Sequence, residues 1–145
     1  MKIVLQRSKE ASCVVEEKKV AEISSGLVLL VGLDKQDTEE AARELADKVL
    51  SFRIFSDEDD KMNLSIQDVK GGILVIPNFT LSANTEKGNR PSFDAAMKPK
   101  EAKQLFDYFV DCLKKSDLDI QPGVFGADMK VSLINNGPVT FTLEV

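Results

Sequence analysis

Apolar and polar residues alternate with a period of two over the first part of the chain, which predicts β-strands. The alternation covers "KIVLQR", "ASCVVE" and "KVAEIS", with a polar "EKK" turn before the third segment. A continuous apolar run from Gly26 to Leu33, "GLVLLVGL", follows and is typical of a strand buried on both faces. The period of two returns at the end of the sequence in "MKVSLIN" and "VTFTLEV". The chain therefore begins and ends in β-sheet.

Two other segments have the spacing of amphipathic helices. In "DTEEAARELADKVLSF", Asp37 followed by Glu40 predicts a capping box. The apolar stripe of this helix is formed by Ala42, Leu45, Ala46, Val49 and Leu50. A second helix is predicted to begin near Pro99, because proline is favoured in a first turn. Its inward face would contain Ala102, Leu105, Phe106, Phe109 and Leu113.

The order of these elements predicts one α/β domain spanning residues 1–145. We expect mixed β-sheets with the two long helices covering one face, in an α/β/β layering. The other face then requires a second sheet or another subunit. "GGILVIPNFTL" begins as a buried strand, and Pro77 within it marks a sheet edge, a bulge or the end of the strand.

Composition and charge exclude several kinds of chemistry. The chain has no histidine, so it cannot contain a Ser-His or Cys-His nucleophile, and its two cysteines, Cys13 and Cys112, are too few for a disulfide framework. A net charge of −5 argues against nonspecific coating of nucleic acid but allows a local basic patch. No segment has the length of a membrane span or the profile of a signal peptide. We therefore expect a cytoplasmic protein without a membrane partner.

Three stretches contain residues suited to chemistry, and each has an ordinary structural alternative. "NTEKGNRPSF" contains Lys87 and Arg90, in what is otherwise a solvated loop. "PNFTL" places Thr80 at the end of a buried strand, where threonine is also a common β-former. "LINNGPVTF" interrupts a strand with a Gly-Pro pair, and a plain hairpin turn is the alternative. "DEDD", from Asp57 to Asp60, is interpreted as a solvated acidic loop.

Seven motifs taken together resemble the bacterial D-aminoacyl-tRNA deacylases, also called D-tyrosyl-tRNA deacylases. They are "QR", "FRIFSD", "KMNL", "FTL", "TEKGNRPSF", "FGADM" and "VSLINNGPVT", and they follow the family order from Met1 to Val145. The resemblance implies a cytoplasmic homodimer that hydrolyses the ester between a D-amino acid and the 3′ end of tRNA. It further implies removal of glycine misloaded on alanine tRNA, with neither a metal nor an organic cofactor.

The resemblance also assigns a chirality filter. Gly137 and Pro138 match a family Gly-Pro pair whose cis bond reaches into the pocket of the partner subunit, where its carbonyls exclude an L side chain. Arg7 matches the family arginine that braces this pair, and a guanidinium with five donors suits that role. Glycine has no side chain to exclude, which agrees with the glycyl activity of the family.

The catalytic residues implied are Asn78, Phe79 and Thr80. The family run Ser-Gln-Phe-Thr appears here as Pro77, Asn78, Phe79 and Thr80, so only the last two positions match. Thr80 has no visible base to activate it as a nucleophile. We therefore favour orientation of the ester and a water, assisted by the ribose 2′-hydroxyl, with backbone N–H groups near Phe79 and Thr80 stabilising the oxyanion.

Binding of the tRNA is assigned first to Lys87 and Arg90, ahead of Lys98, Lys100 and Lys103, because the first two lie in a resembling motif. The departures at Pro77 and Asn78 leave an alternative function open. In it, the chain is a catalytically weakened module of the same fold that binds aminoacyl-tRNA or a D-amino acid. A third hypothesis is a structural dimer in which "NNGPVT" is an interface hairpin.

Overall fold

The computed structural model describes residues 1–145 and confirms a mixed α/β protein with two long helices. The elements in chain order are β1 (Lys2–Val15), β2 (Lys18–Ile23), β3 (Gly26–Gly32), α1 (Glu39–Ser51), β4 (Phe55–Ser56), β5 (Met62–Leu64), α2 (Ile66–Val69), β6 (Gly72–Pro77), a 3-10 helix (Phe79–Ser82), α3 (Pro99–Lys114), β7 (Ile120–Pro122) and β8 (Lys130–Glu144). Helix α3 begins at Pro99, as predicted. No helix combines the length and the apolar character needed to cross a bilayer.

Six strands form one mixed sheet in the order β2-β1-β3-β6-β7, with β8 paired to β1. Strand β1 is antiparallel to β2, β3 and β8, whereas β3, β6 and β7 run parallel to one another. Strands β4 and β5 form a separate antiparallel pair. Since β8 pairs with β1 alone, its other edge has no strand partner within the chain.

Strand β1 connects two hydrophobic cores. Ile3 and Leu5 belong to the larger core, which packs α1 and α3 against the sheet. Ala11 and Cys13 belong to a smaller core formed with residues of β2, β3, β6 and β8. All four positions have odd numbers, so a regular strand would place their side chains on one face. The strand therefore changes face between Leu5 and Ala11, where its pairing with β8 is also irregular.

The predicted capping residue of α1 is wrong by one position. The N-cap is Thr38, whose hydroxyl accepts a hydrogen bond from the N–H of Ala41 at 3.2 Å. The carboxylate of Asp37 instead accepts from the backbone N–H of Asp34 at 2.6 Å and contacts the amino group of Met1. A tertiary ion pair with a buried amino group therefore replaces the local cap that the sequence pattern indicated.

Pro77 ends β6 without removing a hydrogen bond from the sheet. The N–H of Asn78 donates to the carbonyl of Val31 in β3 at 2.7 Å. Alternation along a parallel ladder then directs the nitrogen of Pro77 toward β7. The ladder with β7 stops at the pair of Val75 and Pro122, so Pro77 lies past its last pair. Of the three alternatives for Pro77, a sheet edge, a bulge or a strand end, the structure shows the strand end.

Candidate active site

The end of β6 lies between two cavities that share a wall. Their volumes are about 500 Å³ and about 330 Å³. Pro77, Asn78, Phe79 and Gly126 line both of them. Of the three residues predicted to be catalytic, Asn78 and Phe79 therefore lie in the common wall, and Thr80 follows them in the short 3-10 helix.

Asn78 orients the hydroxyl of Thr80. The Thr80 Oγ1 donates a hydrogen bond to Asn78 Oδ1 at 2.7 Å. An amide oxygen is too weak a base to deprotonate an alcohol, so this contact fixes the direction of the hydroxyl without activating it. Asn78, which departs from the family pattern, is thus hydrogen-bonded to Thr80, which matches it.

The 3-10 helix leaves two backbone donors available, one on Phe79 in the common wall and one on Thr80, which lines neither cavity. Its first internal hydrogen bond runs from the N–H of Leu81 to the carbonyl of Asn78 at 3.2 Å. The N–H groups of Phe79 and Thr80 precede that bond and have no carbonyl partner three residues back in the helix. The side chain of Phe79 is 63% exposed, so this part of the chain is accessible to a ligand.

Phe93 is held against Phe79 by the loop that precedes α3. Asn84 and Ser92 exchange backbone hydrogen bonds of 2.8 and 3.0 Å, which pinch the loop at its base. The ring of Phe93 then lies with its centroid 5.1 Å from that of Phe79, in a tilted arrangement. Both rings line the larger cavity, so an aromatic pair forms one side of it. No local sequence pattern indicated this pairing.

The predicted tRNA-binding residues lie outside both cavities. Lys87 and Arg90 are exposed on the pinched loop and line neither cavity. Lys98 does line the larger cavity, in which it is the one charged residue. Lys98 ranked below Lys87 and Arg90 from the sequence because it lies outside the resembling motif, and the fold brings it to the cavity.

The Gly137–Pro138 pair lies in a bulge within β8. The strand pairs with β1 on both sides of the bulge, and residues 136–139 stand opposite the single residue Arg7. A hairpin turn, one of the alternatives considered from the sequence, is therefore wrong, because the chain continues in the same direction along β1. The Gly137–Pro138 peptide bond is cis, as the resemblance implied. Residues 136–138, which we call the tip, are exposed and line neither cavity beside Phe79.

The side chain of Asn135 closes the base of the tip. Its Nδ2 donates to the carbonyl of Val139 at 3.2 Å, and its Oδ1 accepts from the N–H of Val139 at 2.7 Å. Val139 is buried, so its backbone groups would otherwise lack partners where the ladder is interrupted. One amide thus replaces two ladder hydrogen bonds and fixes the width of the bulge.

Arg7 braces the tip from the neighbouring strand. Its Nε donates to the carbonyl of Asn136 at 2.8 Å, and its Nη1 donates to the carbonyl of Ile54 at 2.7 Å. Ile54 follows α1 and is buried in the larger core, so the guanidinium ties the tip to the helical side of the protein. The contact with Ile54 had no signal in the sequence.

Other candidate groups are engaged elsewhere. The Asp57 carboxylate accepts from the N–H groups of Asp59 and Lys61 at 2.9 and 3.0 Å, and the Lys61 hydrogen bond in particular lowers the pKa of Asp57. Cys13 and Cys112 are buried and unpaired, and burial raises the pKa of the Cys13 thiol. No three acidic or cysteine side chains lie together as a group that could hold a metal ion.

The chain is similar to known proteins over its whole length. A family model described as D-Tyr-tRNA(Tyr) deacylase matches residues 4–144. A D-aminoacyl-tRNA deacylase of Erwinia tasmaniensis is 51% identical, with 98% of each chain covered. Proteins of the same name are 50% identical in Cellvibrio japonicus, covering 98% of this chain and 97% of the relative, and in Pseudoalteromonas translucida, covering 100% of both.

Solved structures share this fold. The c-Myc DNA Unwinding Element Binding Protein has a TM-score of 0.94 at 36% identity, with 100% of this chain and 99% of that chain covered. A probable eukaryotic D-amino acid tRNA deacylase has a TM-score of 0.83 at 18% identity, with 99% and 98% covered. The second likeness concerns the fold alone.

The two hydrogen bonds between the Asn135 side chain and the Val139 backbone, which we call the Asn135 clamp, predict a stability difference between Asn135 and Asn136 variants. Asn135→Asp should lower the free energy of unfolding by about 1–3 kcal/mol, because a carboxylate cannot donate to the Val139 carbonyl. Asn136→Asp is the control, since the Asn136 side chain is exposed, and it should change stability by less than about 0.5 kcal/mol. Urea unfolding measures both variants, and equal losses would contradict the clamp.

Proposed function

This chain belongs to the D-Tyr-tRNA(Tyr) deacylase family, and from that premise we propose that it hydrolyses the ester bond of D-aminoacyl-tRNA as a chirality proofreading step in translation. The observation that carries the proposal is about 50% identity to enzymes of that name over nearly the entire chain. The braced tip and the cavities beside Phe79 give the activity a physical basis. Aminoacyl-tRNA is used in the cytoplasm, and unpaired cysteines suit that reducing compartment.

The proposed reaction needs no nucleophile from the protein. The oxygen of a water attacks the ester carbonyl carbon, and the bond to the ribose 3′ oxygen breaks. That oxygen gains a proton, and the products are a free D-amino acid and tRNA with a 3′-hydroxyl. The N–H groups of Phe79 and Thr80 bind the oxyanion, and the ribose 2′-hydroxyl assists the water. Orientation contributes on the order of 7–11 kcal/mol, which is ample for an activated ester.

We assign the larger cavity to the terminal nucleoside of the tRNA. Its volume of about 500 Å³ lies within the usual size of small-molecule sites. Its walls are mainly apolar, and the Phe79 and Phe93 rings offer the aromatic faces on which nucleobases stack. With the base held there, the adjoining ester lies beside the N–H groups of Phe79 and Thr80.

We assign rejection of L substrates to the tip. Once the amino group and the ester of a substrate are fixed, the two enantiomers differ only in where the side chain and the hydrogen point. A mobile protein side chain measures this difference poorly because it can change rotamer. Arg7 holds the Asn136 carbonyl of the tip, and Asn135 fixes Val139 at its base, so the backbone of the tip can exclude a group by steric overlap. Glycine passes such a filter, which extends the activity to glycine misloaded on alanine tRNA.

We propose that the tip acts in the cavity of a second copy of the chain, in a homodimer. Within one chain, Gly137 and Pro138 are exposed and line neither cavity beside Phe79. Strand β8 also leaves one edge unpaired along its 15 residues, and Ile134 on this strand is 50% exposed. Long unpaired edges are normally covered in native proteins. A partner packed on the exposed face of β8 that contains Ile134 would also supply the additional layer of the expected α/β/β arrangement.

The proposed activity is tested by incubating the purified protein with D-tyrosyl-tRNA and with L-tyrosyl-tRNA. We expect release of D-tyrosine while the L ester stays intact over the same period. Binding of the D form without turnover would instead support the alternative of a weakened binding module. Equal turnover of the two substrates would refute the chirality filter.

Replacing Arg7 tests whether the brace maintains selectivity. Arg7→Gln loses the charged hydrogen bond to the Asn136 carbonyl of the tip, worth about 1.5–3 kcal/mol, so the D-to-L rate ratio should fall roughly ten- to a hundredfold. Arg53→Gln is a matched control, because Arg53 Nε donates to the carbonyl of Asn63 at 2.8 Å, away from the tip. An unchanged D-to-L rate ratio in a folded Arg7→Gln protein would show that Arg7 is not needed for rejection of L substrates.

Replacing Thr80 distinguishes orientation from nucleophilic attack. Thr80→Ala should keep at least about a tenth of the wild-type rate, because the proposal gives its hydroxyl no bond to form. Thr80→Ser keeps the hydroxyl and serves as the control. An inactive, folded Thr80→Ala protein beside an active Thr80→Ser protein would identify the hydroxyl as the nucleophile.

A further inference from the structure

We propose that Lys98 binds the phosphodiester group that immediately precedes the terminal nucleoside of the tRNA. The inference rests on the proposed function and adds to it the residue that recognises RNA, rather than a free nucleoside or amino acid ester. It also moves the main RNA contact from Lys87 and Arg90 to the edge of the larger cavity.

The first support is the position of Lys98 among otherwise uncharged neighbours. It is the one charged residue among the 13 that line the larger cavity. The ion pairs of the protein involve other cations, and Lys103 on the same helix is paired with Asp107 at 2.6 Å. Lys98 is exposed, has no ion-pair partner and lies at the wall of an apolar cavity, where an anion would meet little competition from protein carboxylates.

The second support is the fixed backbone of Lys98. It occupies the N-cap position of α3 in an extended conformation, and Pro99 follows it. Its carbonyl accepts the hydrogen bond of the Ala102 N–H at 2.8 Å. These contacts leave the side chain as the mobile part, and a lysine stem allows the ammonium group to meet a phosphate as a point charge.

The third support is that lysine is a poor choice for stability at this position. A helix begins with a partial positive charge, so acidic side chains are favoured there and cations are disfavoured. Lys98 also makes no side-chain capping hydrogen bond. A bound phosphate would neutralise this unfavourable charge, so phosphate binding explains a lysine that does not stabilise the helix.

The chemistry of the substrate matches this arrangement. When the terminal base lies between the cavity walls, the ribose carries the ester on its 3′ side and the phosphodiester on its 5′ side. The ester must lie near Phe79 and Thr80, which leaves the phosphodiester to emerge at another part of the cavity wall. Lys98 is the only lining residue whose charge can compensate it.

Binding measurements with two non-hydrolysable probes test the inference. One is a short RNA ending in CCA with D-tyrosine linked to its 3′ end by an amide, and the other is the same D-tyrosylamino nucleoside without any phosphate. Lys98→Gln should weaken RNA binding roughly tenfold and leave nucleoside binding unchanged. The salt dependence of RNA binding should also become shallower, by a slope of about 0.7 for one lost phosphate contact.

Two further variants provide controls. Lys98→Arg should retain most of the RNA affinity, because it preserves the charge. Lys114→Gln removes an exposed lysine of the last turn of α3 that lines neither cavity, so it should bind both probes like the wild type.

Several results would overturn the inference. They are equal weakening of both probes by Lys98→Gln, an unchanged affinity for the RNA, or a loss as large in Lys114→Gln as in Lys98→Gln. Hydrolysis of D-tyrosyl-tRNA by the wild type is measured in parallel. If the wild type binds the RNA probe but does not hydrolyse the ester, the proposed function fails, while the ratio of the two affinities still decides the role of Lys98.

Discussion

The interaction on which the candidate site depends is the pair of hydrogen bonds from Arg7 to two carbonyls of distant segments. One carbonyl belongs to Asn136 in the tip, and the other belongs to Ile54 beside α1. A backbone loop that discriminates by steric overlap must be less mobile than the group it excludes. The guanidinium provides this rigidity by joining the tip to the larger core, and Asn135 fixes the base of the bulge from the other side.

The end of β6 solves a different problem, which is how to present backbone donors to a ligand. Pro77 ends the strand beyond the last pair with β7, so no ladder bond is lost. The chain then turns into a short helix whose first N–H groups face no carbonyl of their own. Asn78 holds the Thr80 hydroxyl in one direction. The two departures from the family pattern are thus accommodated locally, which favours an active enzyme over a weakened binding module.

Local periodicity was sufficient to predict the two long helices and the principal strands, because burial on one face imposes a period of 2 or 3.6 residues. It failed where a tertiary partner competed with a local one. Asp37 left its predicted capping role for the amino group of Met1, and the Gly-Pro segment became a bulge because both of its flanks pair with β1. The resemblance pointed to Arg7, but no local pattern could reveal Ile54 as its second partner or Phe93 as the neighbour of Phe79.

The charge distribution bears on what such an enzyme can recognise. A net charge of −5 argues against attraction of a whole tRNA through a broad basic surface. The chain can bind one end of the molecule if a cation lies where the last phosphate must pass, and Lys98 at the larger cavity meets that condition. Recognition limited to the terminal nucleotide is indifferent to the body of the tRNA. In the proposed mechanism, selection then comes from the amino acid itself, and the rigid backbone tip reads its handedness without reading its identity.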